Sequence, residues 1–327
     1  MIVLHNMSKK KNAAIYLLSS RKDFLFKCLE SLYENWNYQY DYPVYVHYFD
    51  NIYDDQDFQK EFKKISSKIY FKNIKYKIPK SIKHQDLFFN RKYLDYVKRS
   101  FSIERIGYLH MEYFVSDIYN FGEIGLASSE LKQFDYLMRI DDDIKFINKI
   151  DFDLFDSAAG FPISSGHTWS SNVKDLKNNT DYFDVRENLY LFIKNYTKKN
   201  RIKPLNKDLQ KSIDTNKEII MHTLKWSAGN LNIYDMKYFN NSLFKKYISE
   251  VNKCGGAYKH RWGDQEVLGL YNYIYYDIPL NDLKLLTNNF YTPRVYETDY
   301  APSTSNNFIL KLKNLLFKII KTIKRNQ

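Results

Sequence analysis

Only two cysteines, Cys28 and Cys254, occur in 327 residues. Two thiols cannot build a disulfide framework, and these fall in no metal-ligand spacing. They read as small buried apolar residues, and a reducing compartment fits them. Proline and glycine are sparse as well, at 7 and 10 residues, which excludes collagen-like and Gly/Pro-rich low-complexity chains. No run approaches the roughly 20 apolar residues of a membrane span. The opening MIVLHNMSKKKN turns polar after a four-residue apolar stretch, so no secretory leader is legible. A cytoplasmic location is the expectation.

What is abundant is aromatic and basic. There are 30 Tyr and 23 Phe, rings that suit sugar faces and ordinary cores alike. The formal net charge of +12 attracts phosphate of any source: nucleic acid, anionic lipid or nucleotide. No recognised nucleic-acid-binding motif accompanies it, so a nucleic-acid partner is not expected.

Strands alternate with helices along the chain, which predicts an α/β fold with a mixed, mostly parallel sheet. Residues 1–11 read as a tail. Ala13 to Ser19 is a short apolar run fit for a buried strand. Ser20 and Asp23 have capping-box spacing, ahead of a helix through FLFKCLESLYENW. Pro43 opens a second strand, VYVHYF, parallel to the first. A charged helix spans roughly Asp54 to Ser67. Tyr108 to Asn120 reads as helix and Phe134 to Ile140 as strand. Residues 172–217 read as loops around a helix near Tyr190. Asp235 to Val251 reads as an amphipathic helix stopped by Gly255 and Gly256. Asp264 starts another helix, DQEVLGLYNYIY. One domain is expected over 12–300, then a linker at 301–307 (APSTSNN) and a basic amphipathic helix at 308–327. The terminal helix pairs an Ile/Leu stripe with lysines, a pattern suited to an anionic membrane surface or to a docked helix. The chain is therefore expected to be peripheral on the cytoplasmic membrane face.

The most informative local feature is RIDDDIKF, Arg139 to Phe146. An apolar strand ends and three carboxylates follow, where open α/β sheets bind ligands. Clustered carboxylates repel unless a cation sits among them. Mn²⁺ or Mg²⁺ takes oxygen ligands and bridges to a diphosphate. On an extended segment Asp141 and Asp143 would point the same way, the Asp-x-Asp arrangement of nucleotide-sugar enzymes. Arg139 could brace these carboxylates or meet the diphosphate.

Three blocks in order resemble glycosyltransferase family 15, the fungal α-1,2-mannosyltransferases. Phe134 to Phe155 is similar to the family's Tyr-rich strand followed by Arg-Val-Glu-Pro-Asp-Val-Lys. Asp141 stands at its metal-binding Glu, Asp143 at its Asp and Lys145 at its Lys. Tyr108 to Phe114, YLHMEYF, resembles a Tyr-x-x-Met-x-x-Phe segment of the donor pocket, which places Tyr108 and His110 near the donor. Gly255 to Val267 is similar to the family's Gly-Gly…Arg-Trp-Gly-Asp block. The resemblance implies a GT-A fold, a GDP-mannose donor, Mn²⁺, a glycan or lipid-linked acceptor and retention of configuration. A GT-A transferase using a UDP-sugar and an inactive glycan-binding scaffold are the rival readings.

Within the last block, Asp264 would handle the acceptor hydroxyl or cap its helix. Glu266 is a second carboxylate there. Arg261 would meet phosphate or buttress the loop, and Trp262 would stack on sugar or fill the core. Three positions in two segments depart from the family. Ser227 stands where the family has a Glu suggested as nucleophile, Asn230 where it has an Asp, and Thr292 where it has a metal-binding His. A serine is a poor substitute for a carboxylate nucleophile. Front-face attack, another carboxylate or a different activity are the ways left open.

Overall fold

The structure is a computed structural model that describes residues 10–49, 51–74, 82, 106–118, 130–172, 188–260 and 262–292. The chain divides into two compact units, Met1–Pro293 and Arg294–Gln327. The second unit, with the expected linker and basic helix, lies outside the described residues. So do Arg261 and the Tyr108 side chain.

The first unit opens with β1 (Ala13–Leu18), α1 (Lys22–Leu32) and β2 (Val44–Tyr48). A π-helical turn, Tyr33–Asn37, extends α1. Then come α2 (Gln56–Ile65), β3 (Ile69–Asn73) and α3 (Ile106–Ser116). The strand before the acidic triplet is β4 (Tyr136–Ile140), followed by β5 (Lys145–Phe146) and α4 (Leu154–Ala158). Two short strands, β6 (Ile163–Ser165) and β7 (Thr168–Trp169), precede α5 (Leu189–Asn200), α6 (Lys207–Thr215) and α7 (Glu218–His222). The chain continues through β8 (Trp226–Ser227), β9 (Leu231–Asp235), α8 (Ser242–Cys254) and α9 (Gly256–His260). It ends with α10 (Asp264–Tyr275), β10 (Asn281–Asp282) and β11 (Tyr291–Thr292).

The main sheet runs β10-β6-β9-β4-β1-β2-β3. Its pairings are parallel except those of β9, which runs antiparallel to β4 and β6. Successive side chains of a strand point to opposite faces, and this sheet is covered on both. From β1, Ala14 and Tyr16 enter one core while Ala13, Ile15 and Leu17 enter the other. β4 splits likewise, Leu137 against Met138 and Ile140, as does β9, Tyr234 against Leu231 and Ile233. The first core takes side chains of α3, α8 and α10, the second those of α1. The result is three layers, and two-sided burial is why β1 reads as an unbroken apolar run.

Several expectations are corrected. No capping box starts α1: its N-cap is Arg21, with no side-chain cap bond. The loop is held instead by Ser19 and Arg21, whose side chains reach the acidic triplet. The helix expected from Asp235 begins only at Ser242, because Asn241 caps it, accepting from the Phe244 N–H at 3.0 Å. Asp235 itself ends β9. Among the described residues of the polar stretch 172–217 there are two helices, α5 and α6, where one was expected. α6 buries little more than Leu209 and Ser212 and is started by Asn206, which accepts from Leu209 N at 2.8 Å. Gly255, at φ 74°, closes α8 in the left-handed conformation. Gly256 stops nothing. A Cβ there would meet the Trp262 ring at 1.9 Å, and Trp262 is 2% exposed. Trp262 is a core residue.

Candidate active site

Parallel pairing sets β1 beside β4 with Tyr16 opposite Arg139, so both strands end at one edge. Ser19 to Arg21 leaves β1 there, and the acidic triplet leaves β4. β9 passes on the other side of β4, Arg139 opposite Asn232. The Asn230 carbonyl accepts from Asp141 N–H at 2.9 Å.

The three aspartates do not align. Asp142 and Asp143 form a turn, not the extended segment expected. Asp142 is 3% exposed. It accepts from Ser19 Oγ at 2.7 Å and pairs closely with Arg21. Arg21 also reaches Asp143 at 3.0 Å. Asp141 pairs with a different arginine, Arg139, through Nη2 at 2.6 Å.

Arg139 is the hub. Its guanidinium is buried, with one arm on Asp141 and the other 3.4 Å from Asp264 Oδ2. The same Oδ2 accepts from the Tyr234 hydroxyl at 3.3 Å. Asn232 Nδ2 donates to the Tyr234 oxygen at 3.2 Å and approaches Ser227 Oγ at 3.4 Å. One polar chain thus runs from the half-buried Asp141 inward through Arg139, Asp264, Tyr234 and Asn232 to Ser227. Linked buried polar groups restrict one another's geometry, although Asn232 Oδ1 has no hydrogen-bond partner. The N-cap of α10 is Gly263; Asp264 is the first helical residue, and its side chain is committed to Arg139 and Tyr234.

The fields in this chain are strong. Burial pushes the Asp141 carboxyl up to about 7; Arg139 opposes the shift, and Asp143 and Asp264 add to it. Burial also raises Asp142, against the pull of Arg21 and Ser19. For Arg139, burial works against the charge, but Asp141 and Asp264 outweigh it and hold the guanidinium well above its usual range. Burial and then Asp264 raise the Tyr234 phenol.

Among the described residues no three His, Cys, Asp or Glu side chains gather as a ready-made cation cage. Asp141 and Asp143 are nonetheless 35% and 21% exposed. This donor set fits a hard cation that takes carboxylate oxygens from the protein and completes its shell with diphosphate and water. Thr292 pairs with Lys145 across β11 and β5, two residues beyond the triplet. Lys145 is exposed at that rim.

The remaining expected residues divide. Ser227 is buried on β8, opposite Thr168. Glu266 is buried on the first turn of α10. His110 is buried and bonded through Nδ1 to the Tyr258 hydroxyl at 2.8 Å. Burial lowers its pKa to about 4, so its ring is neutral and committed to packing. Sequence reasoning placed Asp142 in the triplet without a role of its own, and it missed Asn232, Tyr234 and Glu112. A lone Glu inside the aromatic helix YLHMEYF was the one signal for Glu112.

The profile of the glycolipid 2-alpha-mannosyltransferase family matches residues 1–291. The chain belongs to this family. The probable mannosyltransferase KTR4 of Saccharomyces cerevisiae is 25% identical over 153 residues, 43% of this chain and 30% of the yeast protein. The match thus spans less than a third of that relative's length. The core-mannan synthase A (CmsA/Ktr4) of Aspergillus fumigatus, in a Mn/GDP form, superposes with a TM-score of 0.64 at 17% identity. That superposition covers 83% of this chain and 72% of the fungal one. The S. cerevisiae mannosyltransferase Ktr4p in complex with GDP gives 0.61 at 18% identity, covering 82% and 68%. The fold of this family member is accordingly the GT-A fold of those mannosyltransferases.

Proposed function

We propose that the chain is a metal-dependent mannosyltransferase moving mannose from GDP-mannose to a hydroxyl of a glycan or lipid-linked acceptor. The observation that carries this reading is Arg139, buried between Asp141 on the triplet side and Asp264 at the start of α10. The Mn/GDP and GDP forms of the fungal relatives support manganese and a guanosine diphosphate leaving group. Asp141 and Asp143 would hold the cation. Held there, a manganese or magnesium ion would supply the positive charge that offsets the departing diphosphate.

The chain's own residues do the rest. Arg139 keeps Asp141 in register with the cation and fixes Asp264 from the other side. Asp264, pinned also by Tyr234, faces the acceptor and orients or deprotonates its hydroxyl. Ser227 supplies no carboxylate, and its hydroxyl accepts from Asn232. We infer retention by front-face departure and attack, a reading that the lack of a carboxylate nucleophile at Ser227 supports.

The test is turnover of a panel of GDP- and UDP-sugars with and without Mn²⁺. Manganese-dependent release of GDP from GDP-mannose, ahead of every other donor, is the expected result. Faster turnover of a UDP-sugar would reassign the donor. No metal-dependent binding of any donor would make the protein an inactive scaffold.

A further inference from the structure

The start of α10 is left open by its own sequence. Gly263 stands at the N-cap and provides no side-chain bond. The bond comes from another helix: Glu112 of α3, 5% exposed, accepts from the Asp264 backbone N–H at 3.3 Å through Oε2. The same oxygen lies 3.1 Å from where a Cβ on Gly263 would sit, and Glu266 Oε2 lies 2.9 Å from that point. Glycine at 263 is what lets two carboxylates close over the helix start.

The first N–H groups of a helix have no intrahelical partner and carry the positive end of its dipole. A buried carboxylate supplied by α3 answers both needs. α3 is itself fixed at this point. His110 bonds Tyr258 at 2.8 Å, Ser116 Oγ donates to the Glu112 carbonyl at 2.6 Å, and Met111 Sδ lies 3.8 Å from Arg139 Nη2. Glu112 therefore ties a rigid helix to the backbone of the residue whose side chain meets Arg139 and Tyr234.

We propose that Glu112 is a positioning residue for the transfer reaction. It fixes the Asp264 backbone so that the carboxylate is shared correctly between Arg139, Tyr234 and the acceptor. The role rests on the reading of Asp264 as the acceptor-side carboxylate. In this role Glu112 acts through the Asp264 backbone N–H.

The test is steady-state transfer from GDP-mannose to methyl α-mannoside by the full chain. Glu112→Ala is expected to lower kcat roughly 10- to 100-fold, the scale of a misplaced reacting group. The donor KM should hold, because Asp141 and Asp143 are untouched. Glu112→Gln keeps a carbonyl acceptor and should retain most of kcat. Glu112→Asp withdraws the carboxylate from Asp264 while keeping charge, so it should lose kcat at a melting temperature close to wild type. That variant decides the matter where the alanine variant does not fold. Asn206→Ala, which uncaps α6, should lower the melting temperature and leave kcat alone. Wild-type kcat in Glu112→Ala and Glu112→Asp, or an equal fall in Asn206→Ala, would overturn the role. A wild type without GDP-mannose turnover would overturn the mannosyltransferase reading and this role with it.

Discussion

Replacing Arg139 by methionine is expected to destabilise the protein by about 3–5 kcal/mol, the cost of breaking a buried ion pair from one side. The guanidinium is 6% exposed at its side chain and serves Asp141 and Asp264 at once. Methionine fills much of the volume but leaves both carboxylates without their cation. Urea unfolding reads the loss. A double-mutant cycle identifies its source: Asp264→Asn added to Arg139→Met should recover part of the stability, because it removes one of the two stranded charges. Arg139→Lys should rescue poorly, since one ammonium cannot present a planar two-armed fork. Additive losses in the cycle would mean that Arg139 and Asp264 do not interact in solution.

Asp264→Asn should act on rate more than on fold. The amide preserves shape and one acceptor oxygen, and Asp141 still holds the guanidinium. What disappears is the charge that orients or receives the acceptor proton, a contribution of roughly 10²- to 10⁴-fold in rate. With GDP-mannose and an α-mannoside, kcat should fall on that scale while the donor KM changes little. A donor KM that rises with kcat unchanged would place Asp264 on the nucleotide instead.

Much of this frame could be read from residue patterns, and the exceptions have physical causes. β1, β2 and β4 are apolar runs because both faces of the sheet are buried, and α10 starts at Asp264 as its pattern predicts. β9 escaped because its sequence, LNIYD, carries the buried polar Asn232 and runs into a polar stretch that imitates a helix start. α6 escaped because it buries so little. The triplet was legible as a ligand site, but its division was not. Sequence spacing cannot show that the backbone turns after Asp141, sending Asp142 inward to Ser19 and Arg21. Glu112 and Asp264 are joined only by the packing of α3 on α10, a contact between residues 152 positions apart.

Cation-dependent nucleotide binding tests the central claim most directly. Calorimetric titration of GDP into wild type and Asp143→Ala, with and without Mn²⁺, isolates the triplet from acceptor and turnover. Wild type should bind GDP at least about tenfold more tightly with manganese, ~1.4 kcal/mol or more, and Asp143→Ala should lose that increment. Equal affinities with and without manganese, or an increment that survives in Asp143→Ala, would contradict a cation held at this turn.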